Sequence, residues 1–337
     1  MKKANKTHDV VVFGATSFVG QILARYLFET FGLDGDLRWA MAGRSRSKLE
    51  TVRKALGRGA GRLDILTADA ASLDDMRRLC QSTRVVVSTV GPYALYGEPL
   101  VQACAETGTD YCDLTGEVQW LRRMIVRHEA TARGSGARIV HCCGFDSIPS
   151  DLGVHFLQRE ARRRFGQPCT EVKMRVRAMR GGFSGGTVAS LLNVLAEVAA
   201  DPALRKELAD PYSLWTGPGK PTVRQHDVRF AEYDPDFGAW VAPFVMSAIN
   251  TRVVHRSNML ARPAYGPEFR YDEAVLAGRG LRGRINATAI ATALGASMVA
   301  GAIGPVRQAL ERFVLPGPGE GPSPEAQRRG CFDLRFH

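Results

Sequence analysis

Apolar and polar positions follow two different rhythms along the chain, and the change of rhythm divides it. From residue 9 to about residue 143, short β-branched runs recur between stretches whose apolar residues repeat every 3.6 positions or so. Asp9 to Phe13 is the first run, and it leads into Phe18, Val19, Ile22, Leu23, Tyr26 and Leu27, which share one helical face. The same grammar predicts strands over 37–42, 63–68, 85–90, 110–114 and 138–143, with helices over 46–56, 73–80, 97–107 and 118–133. A helix between successive strands requires parallel pairing through crossovers, since a hairpin has no room for one. The expected fold class is α/β: a Rossmann-type doubly wound parallel sheet with a second α+β domain.

Beyond about Ser150 the rhythm becomes two-fold. Thr170, Val172, Met174, Val176 and Ala178 alternate with Glu171, Lys173, Arg175, Arg177 and Met179, which predicts one apolar and one wet face in an antiparallel sheet. The expected domains are therefore a doubly wound α/β domain over 1–150 and an α+β domain over 151–337. Residues 202–221 read as short helices and turns, 316–324 as an exposed loop, and Phe332, Leu334 and Phe336 as a last strand. Ala287 to Gly304 carries no charge and is flanked by Arg279, Arg282, Arg284 and Arg307. Alanine and glycine dominate it, so a spanning helix is disfavoured. A buried or tunnel-lining helix is expected, with a membrane-surface helix as the alternative.

Composition narrows the classes. A chain of 337 residues with 45% hydrophobic and 23% charged positions can bury a substantial core without disulfides, which removes small stapled scaffolds. Seven cysteines with no Cys-x-x-Cys pair point to reduced, buried thiols and to no metal site. The apolar run Val10 to Phe13, behind Lys2, Lys3 and Lys6, is too short for a signal peptide, so a cytoplasmic protein is expected, membrane-associated if the 287–304 helix lies on a bilayer. Net charge is +11, with clusters at Arg122, Arg123 and Arg127 and at Arg159, Arg162, Arg163 and Arg164. No recognised nucleic-acid motif accompanies that charge, so no nucleic acid is expected; an acidic cofactor, anionic lipid or acidic carrier protein would use it equally well.

The first strand ends in Gly14-Ala15-Thr16-Ser17-Phe18-Val19-Gly20, where a tight turn delivers a helix N-terminus toward a pyrophosphate. Thr16 and Ser17 offer hydroxyls, and Phe18 and Val19 complete the turn. Ser17 stands where the usual fingerprint has its middle glycine. After the second strand come Arg44, Ser45 and Lys48, with no acid to bind a free ribose hydroxyl, so NADP is favoured over NAD. Ser45 also reads as a helix cap. Asp69 closes the third strand, near an adenine or capping a turn. Gly91 and Pro92 break the chain after the fourth strand, at the edge where a nicotinamide lies, and Tyr93 and Tyr96 follow as candidate proton donors.

Asp113 and Glu117 follow the fifth strand, and Asp146 and Ser147 the sixth. These residues are placed to orient substrate, while Glu117 and Ser147 equally mark helix starts. Ser184, Gly185, Gly186 and Thr187 sit in a glycine-rich stretch (181–187) whose amides suit a carboxylate, thioester or phosphate. Missing are a Tyr-x-x-x-Lys pair, a phosphate-loop lysine, a His-Glu-x-x-His and a Gly-x-Ser-x-Gly elbow.

In one order along the chain stand Gly-Ala-Thr-Ser-Phe-Val-Gly, Ala-Gly-Arg-Ser-Arg-Ser-Lys-Leu, Val-Gly-Pro-Tyr-x-x-Tyr-Gly, Tyr-x-Asp-Leu-x-Gly-Glu, Gly-Phe-Asp-Ser-Ile-Pro-Ser-Asp and Ser-Gly-Gly-Thr-x-x-Ser. Together they resemble the saccharopine dehydrogenase-like oxidoreductases, in particular the branch of bacterial trans-acting enoyl reductases. The resemblance implies NADPH-dependent reduction of an enoyl, acyl-thioester or other lipid-like substrate, small or carrier-bound, by a cytoplasmic enzyme. It also implies a second domain shortened at its C-terminus, since relatives of this branch continue past the final strand. Two further readings stay open: a saccharopine-type amino-acid dehydrogenase, and a non-catalytic NADP-binding adaptor at a membrane. Self-association into a homo-oligomer is compatible with all three.

Overall fold

The structure is a computed structural model, and it describes residues 6–182, 184–261, 264–313, 317 and 319–337. Residue 183 of the glycine-rich stretch, and 316 and 318 of the expected C-terminal loop, lie outside the described residues. The chain divides into two compact units. The first runs to Cys143 and adds residues 184–193, 317 and 319–321; the second begins at Gly144. The boundary therefore falls several residues before the expected 150, and the start of the glycine-rich stretch's helix sits with the nucleotide-binding unit.

In the first unit the elements are β1 (His8–Phe13), α1 (Phe18–Phe31), β2 (Trp39–Gly43), α2 (Arg46–Ala55), β3 (Asp64–Thr67), α3 (Leu73–Ser82) and β4 (Thr83–Ser88). They continue with α4 (Tyr93–Tyr96), α5 (Glu98–Thr107), β5 (Asp110–Asp113), α6 (Val118–Ser135) and β6 (Ile139–Val140). The strand order is β3-β2-β1-β4-β5-β6, all parallel, as the alternation requires. Order reverses between β1 and β4, which opens the crevice where a dinucleotide lies in such sheets. Val12, Met41 and Trp39 pack with Ala24, Leu27, Leu49 and Val52 beneath that crevice. Burying such side chains contributes about 1.5–3 kcal/mol each.

The second unit holds α7 (Ile148–Phe165), β7 (Glu171–Arg180), the end of α8 (Gly185–Ala200) from Val194 on, α9 (Pro202–Ala209), β8 (Glu232–Asp234), β9 (Ala239–Pro243) and α10 (Ser247–Leu260). It ends in β10 (Arg270–Gly278), α11 (Gly280–Ala302), α12 (Gly304–Phe313), α13 (Pro324–Arg328) and β11 (Cys331–Phe336). Its sheet runs β11-β7-β10-β9-β8. The expected antiparallel sheet is mixed, because β7 and β10 pair in parallel and the chain between them returns through helices and the β8–β9 hairpin. Arg175, expected on the wet face, is buried, with Nε 2.7 Å from Asp234 and a further ion pair to Asp272. A buried guanidinium needs such partners, and two aspartates supply them. Gly153 on α7 is where the ring of Phe336 rests: a Cβ there would lie 2.2 Å from it.

Three further expectations change. Over α11, only 11% of the most apolar 18-residue window is buried, so the helix is not a core element. With alanine and glycine on every side it has no wider face to turn inward, and only Gly283, Ala287 and Gly301 are buried. Gly185, Gly186 and Thr187 form the first turn of α8 instead of a loop before it. All seven cysteines are free, and Cys143, beyond the end of β6, and Cys331, the first residue of the edge strand β11, are exposed.

Candidate active site

The turn between β1 and α1 is built by two glycines that nothing larger replaces. Gly14 has φ +88°, a left-handed conformation that costs a non-glycine residue, and Thr89 and Val90 leave no room for a Cβ. A Cβ on Gly20 would lie 2.2 Å from the Gly14 carbonyl oxygen, so α1 can approach the strand only with glycine there. Ser17 caps the helix: its Oγ accepts from Gly20 N at 2.9 Å and lies 2.9 Å from Thr89 Oγ. The amides of Phe18 and Val19, in the first turn, have no intrahelical acceptor. Residues 319–321 cross the outer side of this turn, the backbone of Gly321 lying on the Phe18 ring.

At the end of β2, Ser45 caps α2, accepting from Lys48 N at 3.5 Å. Arg46 pairs with Glu50 at 3.2 Å. Arg44 and Lys48 are exposed, and their side chains have no ion pair or hydrogen bond among the described residues. Two cations without an acidic partner among the described residues, at the ribose end of the crevice, fit a 2′-phosphate. Asp69 is half-buried, and its Oδ1 accepts from Ala71 N at 3.1 Å in a tight turn.

Past β4 the Gly91–Pro92 peptide is cis, and α4 begins at once. Glu117, 1% exposed, reaches back to cap it: Oε1 accepts from Tyr93 N at 2.7 Å and Oε2 from Ala94 N at 2.8 Å. Tyr93 is buried, with its hydroxyl donating to Ser88 O at 3.0 Å. Burial, then the nearby Asp113, pushes that phenol well above its ordinary range. Tyr96 is 44% exposed on the same helix. Gly91 leaves space toward α8, since a Cβ on it would lie 3.4 Å from Ser190 Oγ. At the head of α8, Ser184 Oγ accepts from Thr187 N at 3.3 Å, and the Gly185 amide donates to Glu320 O at 3.0 Å.

Asp113 ends β5 and is 2% exposed. Its Oδ2 accepts from Tyr111 Oη at 2.9 Å and from His141 Nδ1 at 2.6 Å, while Oδ1 accepts from Thr115 N and Cys142 N at 3.1 and 3.0 Å. In the second unit, Ser147 is buried and donates to Asn250 Oδ1 at 2.9 Å. Asp146 is half-buried without a hydrogen-bond partner among the described residues, and loss of hydration pushes its carboxyl upward.

The structure thus gathers Gly14, Thr16, Ser17, Phe18, Val19, Gly20, Arg44, Ser45, Lys48, Asp69, Gly91, Pro92, Tyr96 and Ser184–Thr187 on the first unit. Tyr93, Asp113 and Glu117 lie beneath that edge, in its supporting layer. Sequence reasoning missed Thr89 and His141; their only signal was their place directly after β4 and β6.

This fold and edge define a Rossmann-type dinucleotide-dependent oxidoreductase. Residues 10–140 match the family model for the saccharopine dehydrogenase NADP binding domain. A Mycobacterium tuberculosis protein provisionally named a trans-acting enoyl reductase is 42% identical over all of this chain and 82% of its own length. A trans-acting enoyl reductase of Mycobacterium leprae is 38% identical with the same coverage. Among solved structures, the chain is similar to apo saccharopine dehydrogenase (L-Glu forming) from Saccharomyces cerevisiae, at TM-score 0.39 and 17% identity over 56% of this chain and 41% of that one. The chain belongs to the saccharopine dehydrogenase-like oxidoreductases, in their trans-acting enoyl reductase branch. It is an oxidoreductase, and its first unit is an NADP-binding domain.

Proposed function

We propose that this chain reduces the carbon–carbon double bond of an α,β-unsaturated acyl thioester carried by another protein, using NADPH. The observation that carries the reading is the similarity of the whole chain to relatives named for that reaction, combined with a nucleotide edge whose free cations match NADPH. The amides of Phe18 and Val19, with Thr16, hold the pyrophosphate against Gly14 and Gly20. Arg44 and Lys48 meet the 2′-phosphate, Ser45 and Ser17 brace their helices, and Asp69 shapes the adenine end. Gly91 and Pro92 flank the nicotinamide, which supplies a hydride when bound.

Tyr96 and the amide of Gly186 hold the thioester carbonyl oxygen, where donors stabilise the enolate by about 3–4 kcal/mol each; the Thr187 amide is taken by Ser184 Oγ. Tyr93, with its hydroxyl turned inward, supports the loop.

The enzyme works in the cytoplasm and meets membranes through α11. Arg279, Arg282 and Arg284 are exposed at its start, and Leu281, Ile285 and Val299 are 72%, 58% and 63% exposed along it. Cations beside exposed apolar side chains suit an anionic bilayer surface; a second copy of the chain is the competing cover.

The test is NADPH oxidation with an enoyl thioester on N-acetylcysteamine or on a carrier protein, followed by mass spectrometry for a product gaining two hydrogens. Turnover of saccharopine, or of lysine with 2-oxoglutarate, in its place would reassign the chain to amino-acid dehydrogenases.

A further inference from the structure

We propose that His141, oriented by Asp113, is the acid that protonates the α-carbon in this reduction; the inference rests on the proposed reaction. His141 follows the Cys112–Val140 pair that joins β5 to β6, so it stands at the carboxyl edge of the sheet, level with Asp113 and Ser88. Two strand steps of about 4.8 Å place it about 10 Å from Ser88 along that edge, a span that an imidazole and an acyl thioester bridge together.

Three observations distinguish it from an ordinary strand-end histidine. First, its tautomer is fixed: Asp113 takes four donors and offers only oxygens, so Nδ1 of His141, at 2.6 Å, carries a proton toward it. The fixed anion then lies where the ring's positive charge falls when Nε2 is also protonated, the arrangement that suits a general acid. Second, Nε2 has no hydrogen-bond partner among the described residues and is not sealed from solvent, the side chain being 11% exposed. The rings of Tyr111 and Trp120 stand edge-on to the imidazole at 5.6 and 5.3 Å and hold it in place. Third, the next residue, Cys142, has φ +59°, unique for a non-glycine position among the described residues. Its amide donates to Asp113 at 3.0 Å, so the left-handed backbone serves to aim the dyad.

In the step assigned to it, hydride addition at the β-carbon leaves an enolate pair on the substrate. The Nε2–H bond of His141 breaks, a C–H bond forms at the α-carbon from that pair, and neutral imidazole remains. Water restores its proton through the exposed edge. Tyr93 cannot substitute for it, because its hydroxyl is buried and bonded to a backbone carbonyl.

The test compares H141N and H141A with the unaltered protein, using NADPH and an N-acetylcysteamine enoyl thioester. Asparagine keeps a donor for Asp113 but removes Nε2, which separates bracing from acid catalysis. The expected result is a kcat for H141N lower by about 10²–10⁴-fold, NADPH affinity by fluorescence within twofold, and partial recovery of H141A by added imidazole. Turnover of H141N within threefold of the original, or a loss in H141A that no imidazole concentration recovers, overturns the assignment. If the unaltered protein leaves carrier-bound and free enoyl thioesters unreduced, the functional reading falls and the acid with it; a loss of the acid alone leaves that reading standing.

Discussion

The hydroxyl of Ser17 lies 2.9 Å from that of Thr89, and this contact joins the cap of α1 to the end of β4 across the nucleotide crevice. Thr89 in turn donates to Gly14 O at 2.9 Å, so the residue replacing the middle glycine of the fingerprint is tied into the strands that flank the crevice. Its oxygen is therefore occupied before any phosphate arrives. Ser17→Ala should lower unfolding stability by about 1 kcal/mol, the usual worth of such a cap, and change NADPH affinity less than threefold. Urea unfolding and fluorescence titration measure the two effects separately.

Glu117→Gln should destabilise the first unit by about 1–3 kcal/mol, because an amide NH₂ replaces an oxygen that accepts from a buried N–H. The lost pair is one of the bonds to Tyr93 N and Ala94 N, which hold α4 under Gly91. A denaturation midpoint unchanged from the original would show that the carboxylate does not hold this turn.

Glu273 gives the second unit a pH dependence. It is 1% exposed, accepts from Tyr271 Oη at 2.7 Å and from Asn250 Nδ2 at 3.0 Å, and burial raises its carboxyl to about 6. A folded value above the unfolded one means that the folded state binds more protons in that window. Stability is therefore full below about 4.5 and falls by about 2 kcal/mol as pH rises through 6. Glu273→Gln should remove that fall, read as a difference in unfolding free energy between pH 4.5 and 7.

The nucleotide unit was legible because its strands are continuous β-branched runs, and the spacing from Asp9–Phe13 to the Gly14–Gly20 turn has one geometric meaning. What the sequence left open was direction and depth. In the sequence Glu117 and Ser147 each fit two roles, substrate contact or helix start; Glu117 caps α4 from a distance of 24 residues, a partner no local pattern reveals. Arg175 alternates like a solvent-facing residue, yet Asp234 and Asp272 come from far along the chain to bury it. His141 carried no motif at all, and only the pairing of β5 with β6 brings Asp113 to it. Ala287 to Gly304 reads as apolar, but composition alone does not say whether anything covers it.

The exposed α11 should bring the protein to anionic bilayers. Flotation with vesicles containing phosphatidylglycerol should carry it upward at low salt, and Leu281→Glu combined with Val299→Glu should abolish this while leaving NADPH binding intact. Flotation equal on neutral vesicles would remove the role of Arg279, Arg282 and Arg284. A stable dimer lost in the same variant would show that a second copy covers the helix.

The claim on which the rest depends is that Arg44, exposed and unpaired at the end of β2, meets the 2′-phosphate of the coenzyme. Calorimetric titration of the protein and of Arg44→Ala with NADPH and with NADH measures it directly. The account predicts that the original binds NADPH more tightly, and that the substitution weakens NADPH at least tenfold while changing NADH less than twofold. Equal losses for both coenzymes, or no heat with NADPH from the original protein, would contradict it.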